Sequence, residues 1–172
     1  MCAIALVVVA AGLVAGQASA GAGSRNPEAR ITEATIKAAT AKYHAVDRAI
    51  ADGFLPTDEC AELPGVGAMG YHYVNPERLA DGVVDPSRPD VLLYTTGPGG
   101  RLRLAGAEWF AADPDQDLAT DAGRPSLFGH DFDGPMPGHE PGMPIHFDLH
   151  AWVWQSNPAG TFAPWNPAVH CP

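Results

Sequence analysis

Apolar and polar positions follow two different periods along this chain. Within residues 31–50 they recur at helical spacing: Ile31, Ala34, Ala38, Ala41, Ala45 and Ala49 form a stripe that Val46 and Ile50 widen. Asn26-Pro27-Glu28 reads as a helix start, with an Asn cap, Pro in the first turn and an acid beside the positive end of the dipole. Gly53 reads as the C-terminal cap and Phe54-Leu55-Pro56 as the stop. The pattern predicts one amphipathic helix of about 25 residues, with His44 in its middle on a solvated or boundary face.

Beyond Cys60 the period drops to two. Short apolar or alternating runs cover residues 67–74, 91–95, 102–110 and 145–154. Turn signals punctuate them at Asn75-Pro76, Asp81-Gly82, Gly97-Pro98-Gly99-Gly100, Asn157-Pro158 and Asn166-Pro167. Four such runs predict an antiparallel sheet, and a helix with an apolar stripe needs that surface to bury it. The expected fold is α+β: a long N-terminal helix packed on an antiparallel β-sheet, sandwich or small barrel.

Residues 1–20 belong to neither regime. They carry no charge, 16 of them are apolar, and they end in Ala18-Ser19-Ala20, the small-x-small pattern of a signal-peptidase site. The apolar stretch is too short for a stable membrane anchor. The reading is therefore a signal peptide at 1–20 and one secreted domain at 21–172. In that domain only Cys60 and Cys171 remain, and an even count in an exported chain predicts a disulfide between them.

Composition narrows the partners. With 20 Asp+Glu against 10 Lys+Arg, the net charge is −10, which excludes nucleic acid or an anionic membrane surface as the expected partner. Nineteen Gly and 17 Pro exclude a helical bundle and frame the short strands instead.

The candidate chemistry is concentrated in histidine. In residues 145–154, alternation puts His146, Asp148, His150, Trp152 and Trp154 on one face. In residues 102–110, it groups Glu108 with Leu102, Leu104, Gly106 and Phe110, so that a carboxylate sits on an apolar face. A buried carboxylate requires a partner, a proton or a cation. His72 lies inside a third strand. Together His72, Glu108, His146 and His150 make a three-His/one-Glu donor set suited to a divalent transition metal, copper or zinc first. The Gly/Pro-rich loop before the last strand adds Met136, His139, Glu140 and Met143. Its His139 is a candidate outer ligand or gate, and its thioethers favour copper. His130 and His170 are weaker candidates. The acidic run at 113–121 fails a calcium-loop template, with Leu118 where Gly is needed and Arg124 where the bidentate Glu should be.

Four blocks carry a family resemblance: Tyr43 with Ala49-Ile50-Ala51-Asp52-Gly53-Phe54, Met69-Gly70-Tyr71-His72-Tyr73-Val74-Asn75-Pro76, Glu108-Trp109-Phe110, and His146-Phe147-Asp148-Leu149-His150-Ala151-Trp152-Val153-Trp154. With the closing Asn157-Pro158, Asn166-Pro167 and Cys171, they resemble a family of small exported bacterial proteins of uncharacterised function. Separately, the His/Glu constellation is similar to the metal site of cupins, with His146-x-Asp148-x-His150 where cupins have His-x-His.

The leading functional expectation is a secreted protein that binds a transition metal. The alternative is a cupin-like metalloenzyme, of oxygenase or hydrolase type, with Glu108 or Glu140 as acid/base and Tyr71 or Tyr73 orienting substrate. A third class is a non-catalytic structural or partner-binding domain whose tryptophan face meets a partner.

Overall fold

The computed structural model describes residues 27–172; the expected signal peptide, the short lead after it and the Asn26 cap lie outside the described residues. Helix α1 (Pro27–Thr40) runs into a 3-10 turn at Ala41–His44, and α2 (Val46–Ala51) follows. The predicted single helix is therefore interrupted. Ala45 is extended (φ −89°, ψ 107°), and the Tyr43 carbonyl accepts a 2.6 Å hydrogen bond from the Tyr94 hydroxyl. That donor, coming from the sheet, compensates for the break in the helical ladder.

The buried face also differs from the expected alanine stripe. Ile31, Ala34, Ala38, Ala41, Ala45 and Ile50 are exposed, while Ile36, Thr40, Tyr43 and Ala49 are buried. Burial stabilises roughly in proportion to the apolar area removed from water, so Ile36 and Tyr43 outweigh a row of methyl groups. The C-terminal end agrees with the sequence. Gly53 adopts φ 90°, and Phe54 N and Gly53 N donate to the Ala49 and Ile50 carbonyls.

Strands β1 (Leu55–Leu63), β2 (Gly67–Val74), β3 (Val91–Thr96) and β4 (Leu102–Ala112) follow, with a short α3 (Pro76–Asp81) between β2 and β3. The two expected turns around that helix are its caps: the Asn75 side chain accepts from Arg78 N, and Gly82 is left-handed. A β5–β6 hairpin (Ser126–Leu127, His130–Asp131) precedes β7 (Asp133–Met136) and β8 (His146–Ala151). The main sheet is antiparallel, in the order β1-β2-β3-β4-β8-β7. It is an open sheet with β1 and β7 at its edges, rather than a closed barrel. Strand β1 was not expected; Pro56 interrupts its sequence pattern, and an edge position is where a strand tolerates proline.

Both faces of the sheet are covered. On one face, Ile36 packs with Trp109, Phe147, Leu149 and Val153, while Tyr43, Ala49 and Phe54 pack with Tyr73, Leu92, Tyr94 and Leu104. On the other face, Trp152 and Val169 close over Ala68, Val91, Leu93 and Ala105, with Cys171 beside them. Cys171 is bonded to Cys60, so the predicted disulfide is present. No described helix is long and apolar enough to cross a membrane.

Candidate metal centre

Register determines which polar groups meet. His72 on β2 pairs with Leu93 on β3, Leu93 with Gly106 on β4, and Glu108 on β4 with His150 on β8. Residues paired in this way share a face, so His72, Glu108 and His150 all project to the side away from the helices. Tyr73 joins the helix-side cluster and Tyr71 packs against it. Neither expected substrate-orienting tyrosine is therefore on the histidine face.

The same register revises the grouping expected for β4. A bulge between the pairs Leu93/Gly106 and Tyr94/Leu104 leaves Ala105 unpaired. Leu104 therefore packs on the helix side, while Gly106, Glu108 and Phe110 face the histidines. The expectation that Glu108 is inward is met, since it is 6% exposed. The tryptophans divide likewise. Trp152 stays on the histidine side, whereas Trp154 turns to the helices, donates to Thr40 Oγ1 at 3.0 Å and packs edge-on against His44. A continuous tryptophan face for a partner is not formed.

At the centre, Glu108 Oε2 lies 3.4 Å from His72 Nε2 and 3.6 Å from His150 Nε2. One donor atom from each of the three residues falls within 4.8 Å of the others. These separations bear on two readings. A charge-assisted N–H···O bond is about 2.7–2.9 Å long. Donors around a tetrahedral ion with bonds of about 2.0–2.2 Å lie about 3.3–3.6 Å apart. Glu108 Oε2 and His150 Nε2 are buried and make no hydrogen bond. The spacing is longer than a contact hydrogen bond, within ion-pair range, and such that the three donors could hold a metal ion.

The electrostatics of the site follow from its burial. Desolvation pushes the Glu108 carboxyl up to about 8, against the opposing pull of His150. Burial also depresses His72, to about 3. Burial works against the charged form of His150 too, but there the carboxylates of Glu108, Asp148 and Asp133 prevail and raise it to about 9. Asp148 Oδ1 stands 3.3 Å from His150 Nδ1, a contact whose alignment falls short of a hydrogen bond. A carboxylate behind the non-ligating nitrogen of a histidine is the usual orienting partner of a metal ligand.

The expected four-donor set separates into three and one. Four strand positions span about 13 Å, so His146 and His150 cannot both reach one ion from a straight strand. His146 instead stacks on Phe110 and faces His139, with ring centroids 4.9 and 5.4 Å away respectively. His139 is exposed on the loop between β7 and β8. His130 packs on Phe162, and the exposed His170 lies 3.7 Å from Glu62. Sequence reasoning passed over Asp90, a buried carboxyl next to the centre whose Oδ2 accepts from Phe110 N at 2.9 Å. It sits in a turn, where no alternation marks it as inward.

Compared with protein-family models, curated proteins and solved structures, the chain matches none.

Proposed function

We propose that this is an exported protein that binds a divalent transition metal ion, copper or zinc, through His72, Glu108 and His150. The observation that carries the reading is the convergence of these donors within 4.8 Å of one another, with Glu108 Oε2 and His150 Nε2 buried and without a hydrogen bond. Leaving such groups without a partner costs about 1–3 kcal/mol each, more when one is charged, and a cation removes that cost. Export is supported by the leader-like residues 1–20 and by the Cys60–Cys171 bond. The resemblance to small exported bacterial proteins agrees with it.

The test is metal analysis of protein purified without a polyhistidine tag, after incubation with Zn(II) or Cu(II) and removal of excess ion. One tightly held equivalent is expected, lost in His72→Ala and in the near-isosteric Glu108→Gln. Sub-stoichiometric metal, or full retention in both variants, overturns the proposal.

One observation favours a metalloenzyme as the second reading. Three protein donors leave a coordination position open on a four-coordinate ion, the arrangement of hydrolytic zinc sites. Visible spectra of the Co(II)-substituted protein separate the two. An exchangeable water supports catalysis, and a shell closed against added anions supports storage or sequestration.

A further inference from the structure

The loop joining β7 to β8 contains a second set of donors that the inner centre does not use. His146 is fully buried, and its Nδ1 stands 3.1 Å from the Pro144 carbonyl oxygen. A carbonyl can only accept, so Nδ1 carries the proton and Nε2 carries the lone pair. That Nε2 is buried and has no hydrogen-bond partner. Phe110, stacked on the ring, fixes its plane. The backbone beside it is fixed as well: the Gln116 side chain accepts from Ile145 N at 2.9 Å and donates to Ile145 O at 2.8 Å. His146 is thus a desolvated, tautomer-locked imidazole whose lone pair lacks a donor.

Two further residues stand beside it. The exposed His139 ring is 5.4 Å from His146, centroid to centroid. An ion held by two imidazoles at about 2 Å per bond sets ring centres about 5–6 Å apart. Met136 is the residue directly opposite His146 on β7, and such pairs place their Cβ atoms about 5 Å apart on one face. Two imidazoles and a thioether form a soft, low-coordinate donor set, unlike the His/Glu/His centre.

We infer that His139, His146 and Met136 form a second, outer site that binds Cu(I). It lies at the opposite end of β8 from the inner centre, open to solvent through His139, and it does not depend on the inner centre holding an ion. Occupation gives the buried His146 Nε2 the partner it lacks. It also ties the β7–β8 loop to the sheet.

The experiment is an anaerobic titration of the protein with Cu(I), kept reduced by ascorbate, against a chromophoric Cu(I) chelator. Zn(II) uptake is measured in parallel on the same variants. His139 is exposed and Met136→Leu conserves volume, so both variants are expected to fold, which circular dichroism checks. His139→Ala is expected to weaken Cu(I) binding by at least about tenfold, since even an outer partner of a metal ligand is worth that much. Met136→Leu should remove sulfur scattering from the copper X-ray absorption spectrum, with Zn(II) uptake at the inner centre unchanged in both. Unaltered Cu(I) affinity in His139→Ala overturns the inference, as does Cu(I) binding lost only with His72→Ala and Glu108→Gln. Failure of the inner centre is read separately, from the Zn(II) arm.

Discussion

Asp90 and Glu108 are adjacent buried carboxyls that fare differently. Asp90 N donates to the Glu108 carbonyl, and Asp90 Oδ2 accepts from Phe110 N, while its Oδ1 has no partner. Burial raises the Asp90 carboxyl to about 6, with Asp81 adding to the effect. A carboxyl raised in the folded state destabilises the fold when charged. Its unfavourable contribution is present above pH 6 and fades as pH falls through 6 towards the unfolded value near 4. Asp90→Asn keeps an acceptor for Phe110 and removes the charge. It should raise the melting temperature at pH 8, and the gain over wild type should vanish by pH 4 in scanning calorimetry. The proposed metal binding has the opposite sign, because imidazolium has no lone pair to give. Zn(II) affinity should weaken steadily from pH 7.5 to 5, as isothermal titration would record. Glu108 was legible in the sequence because a carboxylate amid Leu, Ala, Trp and Phe is conspicuous. Asp90, in a Ser-Arg-Pro-Asp turn, gave no such contrast.

At the level of elements, the alternating runs were read better than the helix, while β1 and the short β5, β6 and β7 were not expected. The boundaries of β2, β3 and β4 nearly coincide with the apolar runs, since period-two alternation bounded by Gly and Pro has few competing explanations. The helical stripe was misassigned because alanine suits either face, and the docking face is chosen by the larger Ile36 and Tyr43. The β4 bulge at Ala105 was not read, although Gly106 beside it is the kind of strand glycine that marks a bulge or a close backbone approach. It has consequences for the site. The chain leaving β8 folds back over it, with Trp154 N and Gln155 N both donating to the Ala105 carbonyl. A Cβ at Gly106 would run into the Ala151 carbonyl. Gly106→Ala should therefore cost about 1–3 kcal/mol in urea unfolding, as overpacking does. It should also weaken Zn(II) binding, because it strains the pairing that sets Glu108 against His150.

The molecule as a whole is closed by one covalent link. Cys60 and Cys171 are 111 residues apart, and a loop of that length restricts the unfolded chain by about 4–5 kcal/mol in the chain-entropy model. Reduction should lower the urea midpoint accordingly and free the segment carrying Val169 from the histidine side of the sheet. The α+β class, the disulfide and the donors on β2, β4 and β8 could all be inferred from residue pattern. What pattern could not supply was distance, which divides the histidines between two places.

The inner donors come from positions 72, 108 and 150, and no two of them belong to the same hairpin. During synthesis, His72 leaves the ribosome long before Glu108, and His150 emerges last. An ion present at that stage meets isolated imidazoles with no more claim on it than any other polypeptide has. Only when β8 has docked against β4 do the three donors stand together. An ion bound as proposed is thus expected to be captured by a finished sheet rather than to template one, and its identity would then reflect where and when folding ends.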